Sequence, residues 1–300
     1  MGALSAEYRC PMTDIRPVTE GDFDAVFDLL TARSRAAFGI SSEQPAFLRQ
    51  RWDAPATDNW VAVANGAVVG YASLDESQDF VHAAKDPAVG DALIAHLERR
   101  ARDRGFPSLA VVAASEDAPL YDAVQRNGYT LDREVLRMWR MLDGNNLPEP
   151  VWPADVTVRS YTDADAKRVH ALLDEQYAGW DETYVGRSHD GWLTFMTEHD
   201  DFDPAMWFLV ERDDELIACA LHWKESQGRG WVKDIVVRES ERGRGLAKAL
   251  LQHGFRAYAE RGADRVGLKV DSTNPTGAPQ LYERLGFVTD QRLEIWQKEL

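Results

Sequence analysis

The chain repeats itself, and the repeat limits what it can fold into. The run ALLQHG at 249–254 echoes ALIAHL at 92–97, and Arg261-Gly262-Ala263 echoes Arg104-Gly105-Phe106. Arg284-Leu285-Gly286-Phe287 likewise echoes Arg126-Asn127-Gly128-Tyr129, and the three separations are 157, 157 and 158 residues. Near the start of each half, residues 156–159 with Thr162 and Asp165 echo Ile15, Arg16, Thr19 and Asp22. A unit this long, present twice, is a duplicated domain rather than a solenoid. Three hundred residues also suit two compact domains of ordinary size.

Within each half, hairpin signals precede strand–helix–strand patterns. Asn65-Gly66 joins strands predicted at 60–64 and 68–74, and Asp213-Asp214 joins 207–211 to 216–223. Phe23, Val26, Phe27 and Leu30 share one face of a helix predicted over 22–36. Further on lie a helix over 89–104 closed by Gly105, a strand at 108–113, a helix at 119–126 and an extended stretch at 129–141. Hairpins combined with crossover units predict an α/β fold with a mixed sheet in each copy. Residues 1–12 read as a flexible extension and 13–144 as the first domain. The stretch 145–155, with Pro148, Pro150 and Pro153, reads as a linker, and 156–300 as the second domain.

A formal charge of −16 and a pI near 4.9 argue against a protein that holds nucleic acid by neutralising phosphates, and favour cationic partners, amines included. The two cysteines, Cys10 and Cys219, give no disulfide framework, so a reduced, cytoplasmic protein is expected. No apolar run is long enough to span a bilayer, and the first ten residues lack the pattern of a signal peptide. His170, His189 and His199 have no metal-ligand spacing, so no metal is expected.

The chemistry concentrates in the second half. An apolar strand at 232–237 runs into Arg242-Gly243-Arg244-Gly245, which opens a helix carrying Leu246, Ala249, Leu250, Phe255 and Tyr258 on its apolar face. Free backbone N–H groups at such a helix start, beside two arginines, make an anion site, here for the phosphates of a cofactor. The N–H groups of residues 244–247, including Leu246 and Ala247, are expected to carry most of that contact. An offset of 157 sets Lys85-Asp86-Pro87-Ala88 opposite this loop in the first half. Asp86 would oppose a phosphate, Pro87 removes a donor, and both glycines are lost. An offset of 158 sets Val124 opposite Tyr282, with Tyr121 three residues earlier, so the first copy is expected to be structural.

The order strand, Arg242-Gly243-Arg244-Gly245-Leu246-Ala247, then Asn274 and Tyr282 in N-P-T-G-A-P-Q-L-Y-E-R-L-G-F resembles the GNAT superfamily of acyl-CoA-dependent N-acyltransferases. The tandem layout is similar to that of two-domain actinobacterial acetyltransferases. The resemblance implies a centrally splayed sheet in each copy, acetyl-CoA as co-substrate and a small-molecule primary amine as acceptor, in a monomer or homodimer. It implies that backbone groups of Val236 and Val237 pair with the cofactor's amide-bearing arm, and that Tyr282 is general acid to the departing thiolate. Asn274 either meets that arm or a bridging water, or caps its own turn.

Asp234, in an otherwise apolar strand, is the candidate general base, with Glu175, His222, Asp271 or a water chain as alternatives. Strand alternation sets Asp234 on the face of Val232 and Val236, opposite Val237. Glu175, Tyr177, Trp180 and Asp181, in the run at 173–186, together with His222, are candidate acceptor contacts, since aromatic surfaces beside carboxylates suit a cationic group. Direct attack of the amine is expected. The competing readings are a non-catalytic acyl-CoA sensor and a transferase with a longer acyl group or a protein lysine acceptor.

Overall fold

The computed structural model describes residues 13–39, 41, 43–143, 147–179, 186–198, 201–224 and 228–300. The chain forms two compact units, Met1–Asp132 with Ile295–Leu300, and Arg133–Glu294. Residues 147–155 of the expected linker thus fall inside the second unit. The extended stretch assigned to the first copy is β6 (Thr130–Met141), and its residues 135–141 lie antiparallel along β11 (Arg265–Asp271) in the second unit.

In the first unit, β1 (Asp14–Pro17), β2 (Asp58–Ala64), β3 (Ala67–Leu74) and β4 (Phe80–Ala84) form an antiparallel sheet in that order. β5 (Ser108–Ala113) bridges in parallel to the chain ahead of β4, Asp79 to Ala110, and pairs with the chain's last strand, β12 (Val288–Glu299), whose end lies in this unit. Helices α1 (Phe23–Phe38) and α2 (Pro45–Asp53) cover one face around Val26, Leu30 and Tyr71. α3 (Pro87–Asp103) and α4 (Ala118–Arg126) cover the other around Leu93, Ile94 and Leu97.

The second unit carries β7 (Thr157–Ser160), α5 (Ala166–Ala178), α6 (His189–Thr197), β8 (Trp207–Arg212), β9 (Glu215–Lys224), β10 (Gly230–Val237), α7 (Leu246–Glu260), β11, α8 (Ala278–Arg284) and β12 (Val288–Glu299), whose last residues belong to the first unit. Its strand order is β12-β6-β11-β10-β9-β8-β7. Phe208, Leu250, Phe255 and Leu268 fill the core on the α7 face, and Leu172, Trp192, Trp207 and Leu209 that on the α5–α6 face. α6 and β12 are additions to the elements predicted.

The repeat is carried down to single hydrogen bonds. Arg16 forks onto Asp22 with two bonds of 2.8 Å, and Arg159 forks onto Asp165 at 2.8 and 2.7 Å. In both copies the carboxylate also accepts from the backbone and hydroxyl of the threonine three residues before it, a reciprocal cap on the helix start. The guanidinium beside each aspartate holds its carboxyl well below the usual range. Both hairpins turn as expected: Asn65 and Gly66, and Asp213 and Asp214, all take positive φ.

Candidate active site

Strand divergence makes the site. β10 and β11 run parallel and paired only over residues 230–232 and 266–268. Beyond that point the strands part and leave a cleft of about 520 Å³ between α5, α7 and α8. Its lining brings together Tyr177, Asp234, Val236, Val237, Arg242, Gly243, Gly245, Leu246, Ala247, Asn274 and Tyr282, all selected from the sequence.

At one end lies the start of α7. Gly243 and Gly245 have φ of +78° and +83°, a region L-residues with a Cβ rarely adopt, and Gly245 is the helix N-cap. Among the described residues no side chain caps this helix, so the first-turn N–H groups are left to whatever enters. Arg242 reaches over the cleft to Gln176 Oε1 at 2.9 Å. Arg244 does not line it: its guanidinium binds Glu241 at 2.5 Å and also Asp155, and the buried Glu241 takes Arg212 as well. Five cations (Lys233, Arg242, Lys248, Lys269, Arg284) face three carboxylates (Asp234, Glu241, Asp271) around the cleft, a local excess of positive charge in a chain of net −16.

At the other end β10 is bulged. Its register against β9 shifts between Val232, opposite His222, and Asp234, opposite Leu221. The extra residue breaks the simple alternation expected from the sequence. Val232 packs into the α7-face core, whereas Val236 packs into the α5–α6 core, and Asp234 turns with Val236 to meet Tyr177 of α5. Asp234 is therefore opposite Val232, not beside it.

Arg238 N–H donates to Ile217 O, so Val236 and Cys219 exchange bonds within the sheet. Alternation then turns the backbone groups of Val237 and of Ile235 to the cleft. Ile235 was missed from the sequence because a bulge leaves no local signal, and Val236 offers a side chain rather than free backbone.

Tyr177 donates to Asp234 Oδ1 at 2.6 Å, and Lys233 Nζ lies 3.5 Å from Oδ2. Burial and the charge of Asp234 push the Tyr282 phenol above its usual range, and Tyr177 well above it. Tyr282 is buried, and its hydroxyl takes no hydrogen bond among the described residues. Asn274 Oδ1 accepts from the backbone and hydroxyl of Thr276 at 3.0 and 2.5 Å, so it caps its own turn. Asp271 is similarly held by Thr273, with Arg133 3.5 Å away.

Two candidates lie elsewhere. Glu175 is exposed, outside the cleft lining, with Arg238 3.7 Å away. His222 is fully buried on the opposite face of the sheet between Phe208 and Tyr258, and burial lowers its pKa to about 3, so it is neither acceptor contact nor base. Trp180 and Asp181 lie outside the described residues. Cys219 is buried with its thiol pushed up, the environment of a packing residue.

The first unit has a larger cleft, about 1090 Å³, between its own helices, and its chemistry is inverted. Asp86 is the N-cap of α3, its Oδ1 accepting from Val89 N at 3.0 Å, and Pro87 follows. As N-cap it stands where Gly245 does, an offset of 159 rather than the 157 expected for this loop. The chain's own carboxylate thus occupies the anion position. Six carboxylates, among them Asp28, Asp117 and Asp122, face Arg33, Lys85 and Arg126 around this cleft. Val124 is core, and Tyr121 packs edge-on against Trp296, 5.2 Å between ring centres.

Residues 166–287 match the Acetyltransferase (GNAT) family. Over most of its length the chain is similar to a mycothiol acetyltransferase of Streptomyces avermitilis, 31% identical over 307 residues, covering 94% of this chain and 93% of that protein. It is similar as well to a mycothiol acetyltransferase of Kineococcus radiotolerans, 35% identical over 279 residues, with 88% and 89% covered. Among solved structures, a GCN5-related N-acetyltransferase from Sphaerobacter thermophilus matches with a TM-score of 0.69 at 25% identity, covering 96% of this chain and 95% of its own.

Proposed function

Because the chain belongs to the GNAT acetyltransferase family, in tandem form and closely related to the mycothiol acetyltransferases, we propose that its second cleft moves an acetyl group from acetyl-CoA to the primary amine of a small molecule. The observation that carries this reading is the uncapped, glycine-opened start of α7 at one end of a splayed, cation-rimmed cleft whose other end holds Asp234 and Tyr282. Acetyl-CoA supplies an activated thioester and a diphosphate. Backbone N–H groups of residues 244–247 and the Arg242 guanidinium would hold the diphosphate. The backbone edge at Ile235 and Val237 would pair with the pantetheine amides, and an N–H there would take up charge on the carbonyl oxygen.

Asp234 removes a proton from the attacking nitrogen, directly or through water, as the N–C bond forms. Tyr282, held neutral by burial beside that carboxylate, gives its proton to sulfur as the C–S bond breaks. Both bonds change within one ternary complex, with no acyl-enzyme. The first cleft, with Asp86 in the anion position, would hold no acetyl-CoA. The relatives' name suggests an acceptor of the mycothiol type for this chain too.

The test is release of CoA thiol with acetyl-CoA against a panel of amino sugars, cysteinyl amides, polyamines and a lysine peptide, followed by Tyr282→Phe. Loss of the acid is expected to lower kcat by about 10²- to 10³-fold, with acetyl-CoA binding by calorimetry retained. Unchanged turnover would remove Tyr282 from the mechanism. A lysine peptide as the sole acceptor would overturn the small-molecule assignment.

A further inference from the structure

Asp234 sits at the β-bulge with its carboxylate divided between two neighbours. The Tyr177 phenol, reaching from α5, donates to Oδ1 at 2.6 Å, and the Lys233 ammonium lies 3.5 Å from Oδ2. The other groups whose electrostatics it enters are the Cys219 thiol of β9 and the Tyr282 phenol of α8. Both are buried and neutral. The Asp234 side chain is itself only 11% exposed, so these neighbours rather than bulk water set its orientation.

An aspartate carboxylate rotates easily, because the torsion that turns it has broad wells. A short bond from a phenol that does not ionise removes that freedom. It also leaves one oxygen occupied and the other turned away from the donor. Hydrogen bonding to the charged form of a carboxylate favours that form. Bonds to a charged partner are roughly twice as strong as neutral ones. Lys233, partly exposed and farther off, can follow substrate in or out of contact; the Tyr177 ring is anchored against the α5–α6 core.

We propose that Tyr177 is a positioning residue of the acetyl transfer, locking Asp234 through Oδ1 so that Oδ2 faces the attacking amine. This rests on the assignment of Asp234 as the base. The fixed phenol holds the accepting oxygen in one place while the acceptor's nitrogen loses its proton.

Tyr177→Phe, which keeps the ring, tests this in the full chain together with Asp234→Asn and the double variant. The assay is turnover with the fastest amine of the panel, with kcat and the KM of each substrate resolved separately, and the independent readout is acetyl-CoA binding by calorimetry. Tyr177→Phe is expected to lower kcat about tenfold with the acetyl-CoA KM unchanged. In the Asp234→Asn background it should cost nothing further.

A further loss of kcat when Tyr177→Phe is added to Asp234→Asn overturns the proposal. So does an unchanged kcat with a raised amine KM, which would make Tyr177 an acceptor contact. If Asp234→Asn turns over normally, the base assignment itself fails, and Tyr177 with it. If Asp234→Asn is slow while Tyr177→Phe is normal, only the positioning role is lost.

Discussion

Replacing His222 by leucine should make the second unit more resistant to acid, by an amount the structure sets. His222 is fully buried, neither ring nitrogen has a hydrogen-bond partner among the described residues, and its pKa falls from 6.5 to about 3 through burial and the nearby His253. The unfolded chain takes up a proton at this residue well before the folded chain does. The stability that the neutral ring allows is therefore complete above about pH 6.5 and drains away as the pH falls. At about pH 4.5, two units down, the loss is about 2.7 kcal/mol at 1.36 kcal/mol per unit. That is a large share of a domain's usual margin of ~5–15 kcal/mol.

Carboxylates such as Asp165, depressed from 3.8, titrate below this window. His82, His96 and His253, also lowered by burial, are present in both proteins and cancel in the comparison. At neutral pH the exchange removes an unsatisfied buried group that costs about 1–3 kcal/mol, so stability should hold or rise. Urea unfolding from about pH 7 to about pH 4.5 measures the effect. The wild-type second transition should lose about 2.7 kcal/mol more than that of His222→Leu over this range. Equal slopes for the two proteins would show that the buried ring accepts a proton in the folded state, and the reasoning would fail.

Two further outcomes follow from the loops. Gly245→Ala meets open space but must hold φ near +83°, which costs about 1–2 kcal/mol. The chain should fold while acetyl-CoA affinity by calorimetry drops at least tenfold, and wild-type affinity would mean that the N-cap geometry does not hold the cofactor. Asp86→Ala removes the cap on α3 and should cost about 1 kcal/mol in thermal unfolding. Acetyl-CoA stoichiometry should stay at one per chain because Pro87 and the missing glycines remain, and a second bound equivalent would show that Asp86 alone closes the first cleft.

The features legible in the chain are those whose cause is local. Asn65-Gly66 and Asp213-Asp214 specify their turns within a few residues. Thr19 with Asp22, and Thr162 with Asp165, build their caps within one helical turn. Gly243 and Gly245 declare the helix start that an anion needs. Each is set by backbone stereochemistry over a span shorter than ten residues, so the hairpins, the caps and the glycine-opened helix start could be placed from composition and spacing alone.

Whatever depends on a partner far along the chain needed the tertiary structure. The β10 bulge exists only relative to β9, and it reverses the face of Val232 and turns the backbone of Ile235 to the cleft. β6 pairs with β11 across more than a hundred residues, so the compact units depart from the repeat. His222 and Glu175 looked like acceptor contacts because a side chain's type says nothing about which face it is turned to. Tyr177 and Asp234, fifty-seven residues apart, meet only once α5 has packed on the sheet. Local propensity records the first kind of information, and long-range packing alone creates the second.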